Sequence, residues 1–310
     1  MRLGILIEPQ QGTTYFDVLS FALEAETLGF EAVFCSDHYL HIGPGSAGPG
    51  PCDAWTTMAG LARDTKKIRL GTMMTPTTFR LPGPLAIAVA QVDVMSGGRV
   101  ELGLGAGWYE AEHRAYGIPF PHVAQRFELL EELLQIVRGL WTCPLGETFS
   151  YRGQHYELVD SPALPKPLQV PHPPILVGGA GPKTTPRLAA KYANEYNVPV
   201  RSLEVTRQQF ERVTNACTAL GRDPTSITLS ATQTLCVGES SADVTRRASN
   251  IGWTIEELEG RGVVGSVEQA LDKMGLFADR GATTLYFQVL DMSDREQLQL
   301  VAEHLVPKLR

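Results

Sequence analysis

The sequence predicts an α/β protein, specifically a (β/α)8 TIM barrel with one inserted segment. Short runs of apolar, β-branched residues alternate with longer segments of helical period, and this alternation is typical of a parallel sheet with crossover helices. Eight such runs can be counted, which is the strand number of the barrel. The length of 310 residues also suits a barrel of roughly 250 residues plus an insertion. A doubly wound open sheet is the alternative fold.

The predicted strands are short and rich in valine, isoleucine and leucine, as expected for strands that are buried on both faces. In chain order they are Leu3–Glu8, Ala32–Ser36, Ile68–Met74, Val100–Gly105, Ile175–Val177, Glu195–Val198, Ile227–Val237 and Thr283–Val289. Because helical segments separate these strands, we expect all of them to run parallel.

The predicted helices carry apolar residues at helical spacing, and some of their ends match known signals. Gly29 stops the first helix, and Asp53 is a natural N-cap for the second. In chain order they are Tyr15–Leu28, Ala54–Arg63, Pro84–Met95, helical material from about Tyr109 to Trp141, Lys183–Tyr192, Leu203–Leu220, Ala242–Asn250, Val267–Arg280 and Asp294–Leu309.

An insertion interrupts the alternation between the fourth and fifth strands. Residues from about 143 to 173 are rich in proline and glycine, and within them Phe149–Leu158 is typical of a hairpin that turns at Arg152-Gly153. We find no linker-like change of composition and no internal repeat, so we expect residues 1–310 to form a single domain with this insertion.

Composition argues against several classes of function. The 27 basic and 34 acidic residues give a net charge of −7, and the basic residues are scattered, so we expect no nucleic-acid partner. The apolar N-terminal run is too short for a signal sequence, and no apolar stretch approaches the roughly 20 residues of a membrane span. Five widely spaced cysteines without a CxxC pattern are typical of reduced thiols in a cytoplasmic protein.

The working residues of such barrels lie at the carboxyl ends of the strands. One of these ends, Gly178–Pro182, follows a strand and opens a helix, so its backbone N–H groups and the helix N-terminus could bind a phosphate. Because Pro182 replaces the glycine that precedes the lysine of a P-loop, the segment is not a Walker A motif. The alternative is a glycine turn that only satisfies backbone geometry.

Asp37 and His38 form a carboxylate–imidazole pair at the end of the second strand. Adjacent residues diverge there, so one could hold a cofactor while His38 transfers a proton to or from a substrate. A structural pair that caps a loop is the alternative. Cys35, His38 and His41 are spaced by three, but strand alternation places Cys35 and His38 on opposite faces, so we expect no metal site.

The fourth strand ends in Gly103–Trp108, which resembles G-x-G-x-x-G but has Trp108 in place of the last glycine. We interpret these glycines as bringing the backbone against a planar ring, with Trp108 as a pocket wall; a tight turn with a core tryptophan is the alternative. Glu110 and Glu112 follow, and each is either a solvated residue of a helix face or, for Glu112, a group that faces the pocket.

Taken together, these strand ends resemble those of the bacterial luciferase-like flavin and deazaflavin oxidoreductases. The matching segments are Ser36-Asp37-His38, Leu70–Pro76, Ser96–Trp108 and Val177–Gly181. The Asp-His pair and the Gly-Pro-Gly-rich stretch before Asp53 are similar to the branch that uses coenzyme F420 rather than FMN.

The resemblance implies a deazaflavin that lies across the carboxyl face of a homodimeric barrel protein, with its phosphate against the Gly178–Pro182 turn. It also implies a non-prolyl cis peptide within Thr72-Met73-Met74 and a catalytic role for His38 beside the reactive carbon. The residues implied for cofactor binding are Asp37, Thr72, Met73, Met74, Thr75, Ala106, Gly107, Glu112, Gly178, Gly179, Gly181 and Pro182. Tyr39 and Trp108 are expected to line the substrate pocket.

The resulting hypothesis is an F420-dependent oxidoreductase that moves a hydride between the coenzyme and a small organic substrate. An FMN monooxygenase that uses reduced flavin and oxygen is one alternative, and a catalytically silent cofactor-binding protein is another. Sugar-phosphate dehydrogenases of the F420 branch have a catalytic glutamate where this chain has Trp108, so that role is not transferred. The aromatic character of the expected pocket favours a small carbonyl compound, enone or alcohol.

Overall fold

A computed structural model of the chain describes residues 1–43 and 48–309. Residues 44–47, which belong to the Gly-Pro-Gly-rich stretch of the F420 resemblance, lie outside the described residues. The chain divides into two compact units. Unit 1 comprises Met1–Glu8, Phe16–Phe34 and Gly178–Arg310, and unit 2 comprises Pro9–Tyr15 and Cys35–Val177. The prediction of a single domain stays a prediction.

The strands are labelled in chain order. They are β1 (Arg2–Ile7), β2 (Ala32–Cys35), β3 (Arg69–Thr72), β4 (Thr75–Pro76), β5 (Val100–Gly105), β6 (Phe149–Arg152), β7 (Glu157–Ser161), β8 (Ile175–Gly178), β9 (Glu195–Val198), β10 (Thr228–Val237), β11 (Gly262–Gly265) and β12 (Thr284–Val289).

The helices are labelled in the same way. They are α1 (Tyr15–Leu28), α2 (Ala54–Asp64), α3 (Pro82–Ser96), α4 (Glu110–Ala115), α5 (Val123–Thr142), α6 (Thr184–Tyr192), α7 (Leu203–Ala219), α8 (Ser241–Asn250), α9 (Ile255–Glu259), α10 (Val267–Asp279) and α11 (Arg295–His304). Among the described residues, no helix has both the length and the apolar character that a membrane crossing requires.

In unit 1, the sheet is built from parallel pairs around β10 and β12. β12 pairs with β1 on one side and with β10 on the other, and β10 also pairs with β9 and β11. The registers Leu3↔Leu285 and Ala231↔Leu285 align buried aliphatic side chains across three strands. Their burial removes apolar surface from water, and this stabilises the sheet.

In unit 2, β5 is the central strand. It pairs in parallel with β3 and β4 and, through the register Leu102↔Ile175, with β8. Helices α2 and α3 pack against each other, and α3 packs against α5. The insertion contains the antiparallel hairpin β6–β7, as predicted, although the turn comprises residues 153–156 rather than Arg152-Gly153.

Most predicted elements are present, but the structure divides some of them and adds others. The predicted strand Ile68–Met74 is divided into β3 and β4, with a cis Met73–Met74 peptide between them. The helical material after Tyr109 is two helices, because the sequence between α4 and α5 contains Gly117 and two prolines. Helix α9 and strand β11 were not expected. β11 pairs with Thr234–Val237 at the end of β10, and the pairing of β10 with β12 stops at Thr234.

Two buried carboxylates fix the insertion to the helices of unit 2, and we call Asp93 and Glu132 the insertion anchors. Asp93 on α3 accepts hydrogen bonds from the backbone N–H groups of Leu168 and Gln169 at 2.8 and 2.9 Å. Glu132 on α5 accepts from the backbone N–H groups of residues 154, 155 and 156, at 2.7 to 3.2 Å. Because these donors belong to the main chain, the anchors hold the path of the insertion itself.

The Ser96–Arg99 motif, which contributes to the family resemblance, has a structural role. Arg99 donates to the carbonyl oxygens of Ala62, Thr65 and Ile68, at and just after the end of α2. These interactions satisfy carbonyl groups that have no partner within the helix. The motif therefore links the end of α2 to the start of β5.

Candidate active site

His38 lies just after β2 and is bound to a buried carboxylate. Its Nδ1 is 3.0 and 3.1 Å from the two carboxylate oxygens of Glu112, whose side chain is 1% exposed. The same carboxylate accepts a hydrogen bond from the backbone N–H of Tyr39 at 2.9 Å. Glu112 thus holds both the imidazole and the backbone next to it, and the interpretation of Glu112 as a solvated helix-face residue is wrong.

The position of Glu112 is set by a second buried histidine on α4. His113 is fully buried, with Nδ1 2.8 Å from the carbonyl oxygen of Tyr109 and Nε2 2.7 Å from Oγ1 of Thr78. Because a carbonyl oxygen only accepts, Nδ1 donates, and in the neutral ring Nε2 accepts from the Thr78 hydroxyl. This pair of bonds orients α4 and therefore the carboxylate beside His113.

The chemistry available to His38 follows from the same reasoning. An ionised Glu112 only accepts, so Nδ1 of His38 carries the hydrogen and Nε2 carries the lone pair in the neutral ring. Nε2 is then the atom that can take up a proton and later return it. Glu112 stabilises the imidazolium that this step forms.

Two aromatic rings, those of Trp108 and Tyr109, lie beside the imidazole of His38. The Trp108 ring meets the imidazole edge to face, with ring centroids 5.8 Å apart, and Tyr109 lies 6.2 Å away. Trp108 and Tyr109 stack on each other at 5.1 Å, and the Tyr109 hydroxyl donates to the carbonyl oxygen of His41. Trp108 is 62% exposed, so it is a wall open to solvent and the interpretation as a core tryptophan is wrong.

A second group of residues lies behind His38, and we call Asp37, Tyr39, Asp53, Thr75 and Arg80 the strand-end cluster. Asp37 is fully buried, and its carboxylate accepts from Arg80 at 2.5 and 3.3 Å and from the Thr75 hydroxyl at 2.8 Å. Arg80 also donates to Asp53 and to the Tyr39 hydroxyl. One guanidinium therefore joins two carboxylates and a phenol.

The pKa values of the two carboxylates in the strand-end cluster shift in opposite directions. Burial raises the pKa of Asp37, although Arg80 opposes that shift. Burial also acts to raise the pKa of Asp53, but Arg80 and the N–H of Thr56 outweigh it and hold that pKa below its usual range. The two carboxylates raise the pKa of Arg80 despite its burial, so the guanidinium stays charged.

The glycines of the fourth strand allow a close approach to the cis segment. A Cβ on Gly103 would collide with the carbonyl oxygen of Thr72, and a Cβ on Gly105 would lie 3.4 Å from the Cβ of Met74. Gly107 has a φ of 76°, in the left-handed region that favours glycine. Gly103 is thus required by the close approach of the Thr72 carbonyl group, and Gly107 by its backbone conformation.

In unit 1, the predicted phosphate turn is formed by the end of β8 and the start of α6. Gly179 has a φ of 143°, its N–H donates to the carbonyl oxygen of Asn197, and its own carbonyl oxygen accepts from the Tyr196 hydroxyl. Lys183 at the N-cap of α6 makes no side-chain capping bond in the described structure. The first N–H groups of this helix are donors suited to an anion.

The predicted site residues divide between the units. Unit 2 contains Asp37, His38, Tyr39, Thr72, Met73, Met74, Thr75, Ala106, Gly107, Trp108 and Glu112, and unit 1 contains Gly178, Gly179, Gly181 and Pro182. The expected contact of Asp37 with a cofactor stays a prediction, since its buried carboxylate is bound to Arg80 and Thr75. Sequence reasoning missed Arg80; its place just after a strand end was the available signal.

The described ranges contain no group of three or more histidine, cysteine, aspartate or glutamate side chains placed to hold a metal ion.

Comparison with known proteins identifies the family of the chain. Residues 1–260 match the family model described as luciferase-like monooxygenase. The chain belongs to the luciferase-like monooxygenase family.

Members of this family with different cofactors resemble the chain. An F420-dependent glucose-6-phosphate dehydrogenase from Amycolatopsis mediterranei (strain U-32) is 35% identical over 182 residues, which cover 57% of this chain and 50% of that protein. An FMNH(2)-dependent dimethylsulfone monooxygenase from Pseudomonas putida is 26% identical over 221 residues, which cover 70% of this chain and 59% of that protein. The matched part of the chain thus spans about half the length of these luciferase-like relatives.

One solved structure can be superimposed over the full length of this chain. It is an F420-dependent secondary alcohol dehydrogenase in complex with an F420-acetone adduct, with a TM-score of 0.87, 19% identity, and coverage of 100% of this chain and 99% of that one. At this identity the likeness establishes the fold. The predicted (β/α)8 barrel is confirmed.

Proposed function

We propose that this protein is an F420-dependent oxidoreductase that moves a hydride between the deazaflavin and a small organic substrate. The observation that carries the proposal is the His38–Glu112 pair, a proton-transfer group held by a buried carboxylate and lined by aromatic rings. The relationship to a protein named as an F420-dependent dehydrogenase supports the choice of coenzyme.

The residues present fit such a coenzyme. The uncapped N–H groups at the start of α6 and the glycine turn Gly178–Pro182 are donors for its phosphate. Ala106, Gly107 and the Met73-Met74 segment are the residues of unit 2 that we propose for contact with its flat ring. When bound, the deazaflavin supplies the carbon that gives or accepts the hydride.

The protein's own contribution is proton transfer. His38 gives or takes the proton that accompanies hydride transfer at Nε2, while Glu112 keeps Nδ1 protonated and the ring oriented. Trp108 and Tyr109 present apolar ring surface beside the imidazole. Tyr39 and Trp108 are the proposed walls of the substrate pocket.

The proposed substrate class rests on the tryptophan at position 108. A tryptophan here offers a ring face in place of a carboxylate, and Tyr109 extends that apolar surface. We therefore expect a small carbonyl compound, enone or alcohol rather than a sugar phosphate. The proposal includes a cytoplasmic homodimer, as the family resemblance implies.

The second candidate is an FMN-dependent monooxygenase, favoured by the relative named as FMNH(2)-dependent. The first experiment titrates the purified protein with oxidised F420 and with FMN and follows fluorescence quenching. We expect tight F420 binding and weak FMN binding. Preference for FMN, together with oxygen consumption on substrate addition, would overturn the proposal, and binding of neither would also overturn it.

The role of His38 is tested by His38→Gln. We expect turnover with F420 to fall by about a hundredfold or more, with F420 affinity little changed, because general acid–base catalysis contributes on that scale. His155→Gln is a matched control, since His155 also pairs with a glutamate, at 2.9 Å from Glu128, but on the insertion hairpin. Equal turnover in the wild type and His38→Gln would remove His38 from the mechanism.

A further inference from the structure

Three consecutive residues after β2 are held by separate sets of partners. Asp37 is bound by Arg80 and Thr75, and His38 is bound through its ring by Glu112. Tyr39 is bound twice, through its backbone N–H by Glu112 and through its hydroxyl, which donates to Asp53 at 2.9 Å. The segment that carries the imidazole is therefore restrained on both of its sides.

Arg80 is the group that links these restraints. Its Nη1 is 2.5 Å from Oδ2 of Asp37, and its Nη2 is 3.0 Å from the Tyr39 hydroxyl and also bonds Asp53. The Tyr39 ring stacks on Phe79, the residue before Arg80, with centroids 4.5 Å apart and the planes inclined by 8°. Arg80 and Phe79 thus bind the residues on either side of His38 from one short loop.

We propose that Arg80 is a positioning residue: by binding Asp37 and Tyr39 it fixes the backbone on both sides of His38 and thereby keeps the imidazole on Glu112. The consequence for catalysis rests on the proposed function. Within the described residues, Arg80 makes no hydrogen bond or ion pair with His38 or Glu112, so its effect is transmitted through the segment Asp37–Tyr39.

The geometry requires the planar guanidinium group of an arginine, with its two terminal nitrogens. Two nitrogens of one planar group reach a carboxylate, a second carboxylate and a phenol at once. The single ammonium of a lysine can neutralise charge here but cannot reproduce this set of directions. Arg80→Lys therefore separates the positioning role from the mere need for a positive charge.

The test compares Arg80→Met and Arg80→Lys with Arg247→Met. Arg247 is a more deeply buried arginine, with its side chain 6% exposed against 16% for Arg80, and it binds Asp294 and the carbonyl oxygen of Val237 in unit 1, so its loss reproduces the removal of a buried ion pair. The readout is the imidazole N–H resonance of His38 in ¹⁵N-labelled protein, assigned by its absence from His38→Gln. Turnover and F420 affinity are measured on the same samples.

We expect the His38 N–H resonance to be lost through exchange in Arg80→Met and weakened in Arg80→Lys, and to be unchanged in Arg247→Met. Turnover should fall by about a hundredfold in Arg80→Met with F420 affinity preserved, because misplacement of a catalytic group costs on that scale. A His38 resonance in Arg80→Lys that matches the wild type would overturn the proposal, and this variant decides the matter if Arg80→Met does not fold.

Failure of the proposed function gives a different result. If the wild type neither binds F420 nor turns over, the coenzyme assignment fails, whereas the N–H resonance still reports whether Arg80 positions His38. If the wild type is active and all three arginine variants lose turnover equally, without any change specific to His38, the positioning role is overturned and the proposed function stands.

Discussion

Unit 2 holds buried carboxylates in two different ways. In the strand-end cluster, Asp37 depends on the guanidinium of Arg80 and on one hydroxyl. The insertion anchors, Asp93 and Glu132, are bound mainly by backbone N–H groups. Both arrangements satisfy the acceptors of the carboxylate, but only the first needs a charged side chain.

The difference shows what each arrangement controls. Backbone N–H groups are present whatever the side chain, so an anchor bound by them fixes a path of the chain. A guanidinium concentrates several interactions in one residue, so the geometry of the strand end depends on the identity of position 80. We expect the strand-end cluster to be the more fragile of the two.

The largest effect should come from removing that charge. Arg80→Met leaves Asp37 buried without its ion-pair partner, and we expect a loss of about 3–5 kcal/mol in the free energy of unfolding. Urea denaturation measures this loss. Asp37→Asn combined with Arg80→Met removes both charges and should be more stable than Arg80→Met alone; a double variant that is less stable would contradict this account of the cluster.

The insertion anchors should be less sensitive to loss of charge. Glu132→Gln keeps an acceptor oxygen but loses the negative charge that three backbone N–H groups share, so we expect a loss of about 2 kcal/mol. Urea denaturation and limited proteolysis at residues 153–156 measure it. Glu128→Gln, which alters the half-exposed partner of the His155 side chain in the same turn, is the control; an equal effect there would contradict the role of the backbone bonds to Glu132.

The pH dependence of stability sharpens the comparison. Burial raises the pKa of Asp37 and Arg80 restrains that rise, so Arg80→Met should raise it further. A carboxyl whose pKa is raised by folding makes the folded protein less stable as pH rises above the ordinary pKa of that group. The free energy of unfolding falls by about 1.4 kcal/mol for each unit by which folding raises the pKa. The destabilisation of Arg80→Met should therefore be smaller near pH 4 than near pH 7. Urea titrations at both values test this, and the opposite trend would contradict it.

The smallest effect is expected from Tyr39, a neutral member of the strand-end cluster. Tyr39→Phe removes a hydroxyl but keeps the stack on Phe79 and the ion pairs of Arg80, so we expect a loss of about 0.5–1 kcal/mol. Thermal and urea unfolding measure it. A loss as large as that of Arg80→Met would mean that the hydroxyl, rather than the guanidinium, holds the cluster together.

Much of the fold could be predicted because its signals are local. Val100–Gly105 and Glu195–Val198 match the predicted strands to the residue, since periodicity and flanking turn residues define such elements within a short window. Strand β11 was missed because two of its four residues, Gly262 and Gly265, are glycines, and because it pairs with the distant end of β10. A short segment of this kind has no periodicity to read.

The candidate site was predictable in part for the same reason. The Asp37-His38 pair and Glu112 stand at strand ends or just beyond one, where functional residues of such barrels are expected. Arg80 was missed because its partners lie 27, 41 and 43 residues earlier in the chain, and a single sequence gives no signal for such pairings. The buried state of Asp37 follows from those same distant contacts.

The turn of the insertion hairpin has a consequence for sequence variation. Glu132 recognises residues 154–156 through their N–H groups alone, so the exposed side chain of Gln154 can be exchanged while the turn keeps its anchor. Gly153 is the exception, because a Cβ at that position would collide with the carboxylate of Glu132. Position 154 at the hairpin tip can therefore carry a different side chain while the backbone of the turn keeps its conformation.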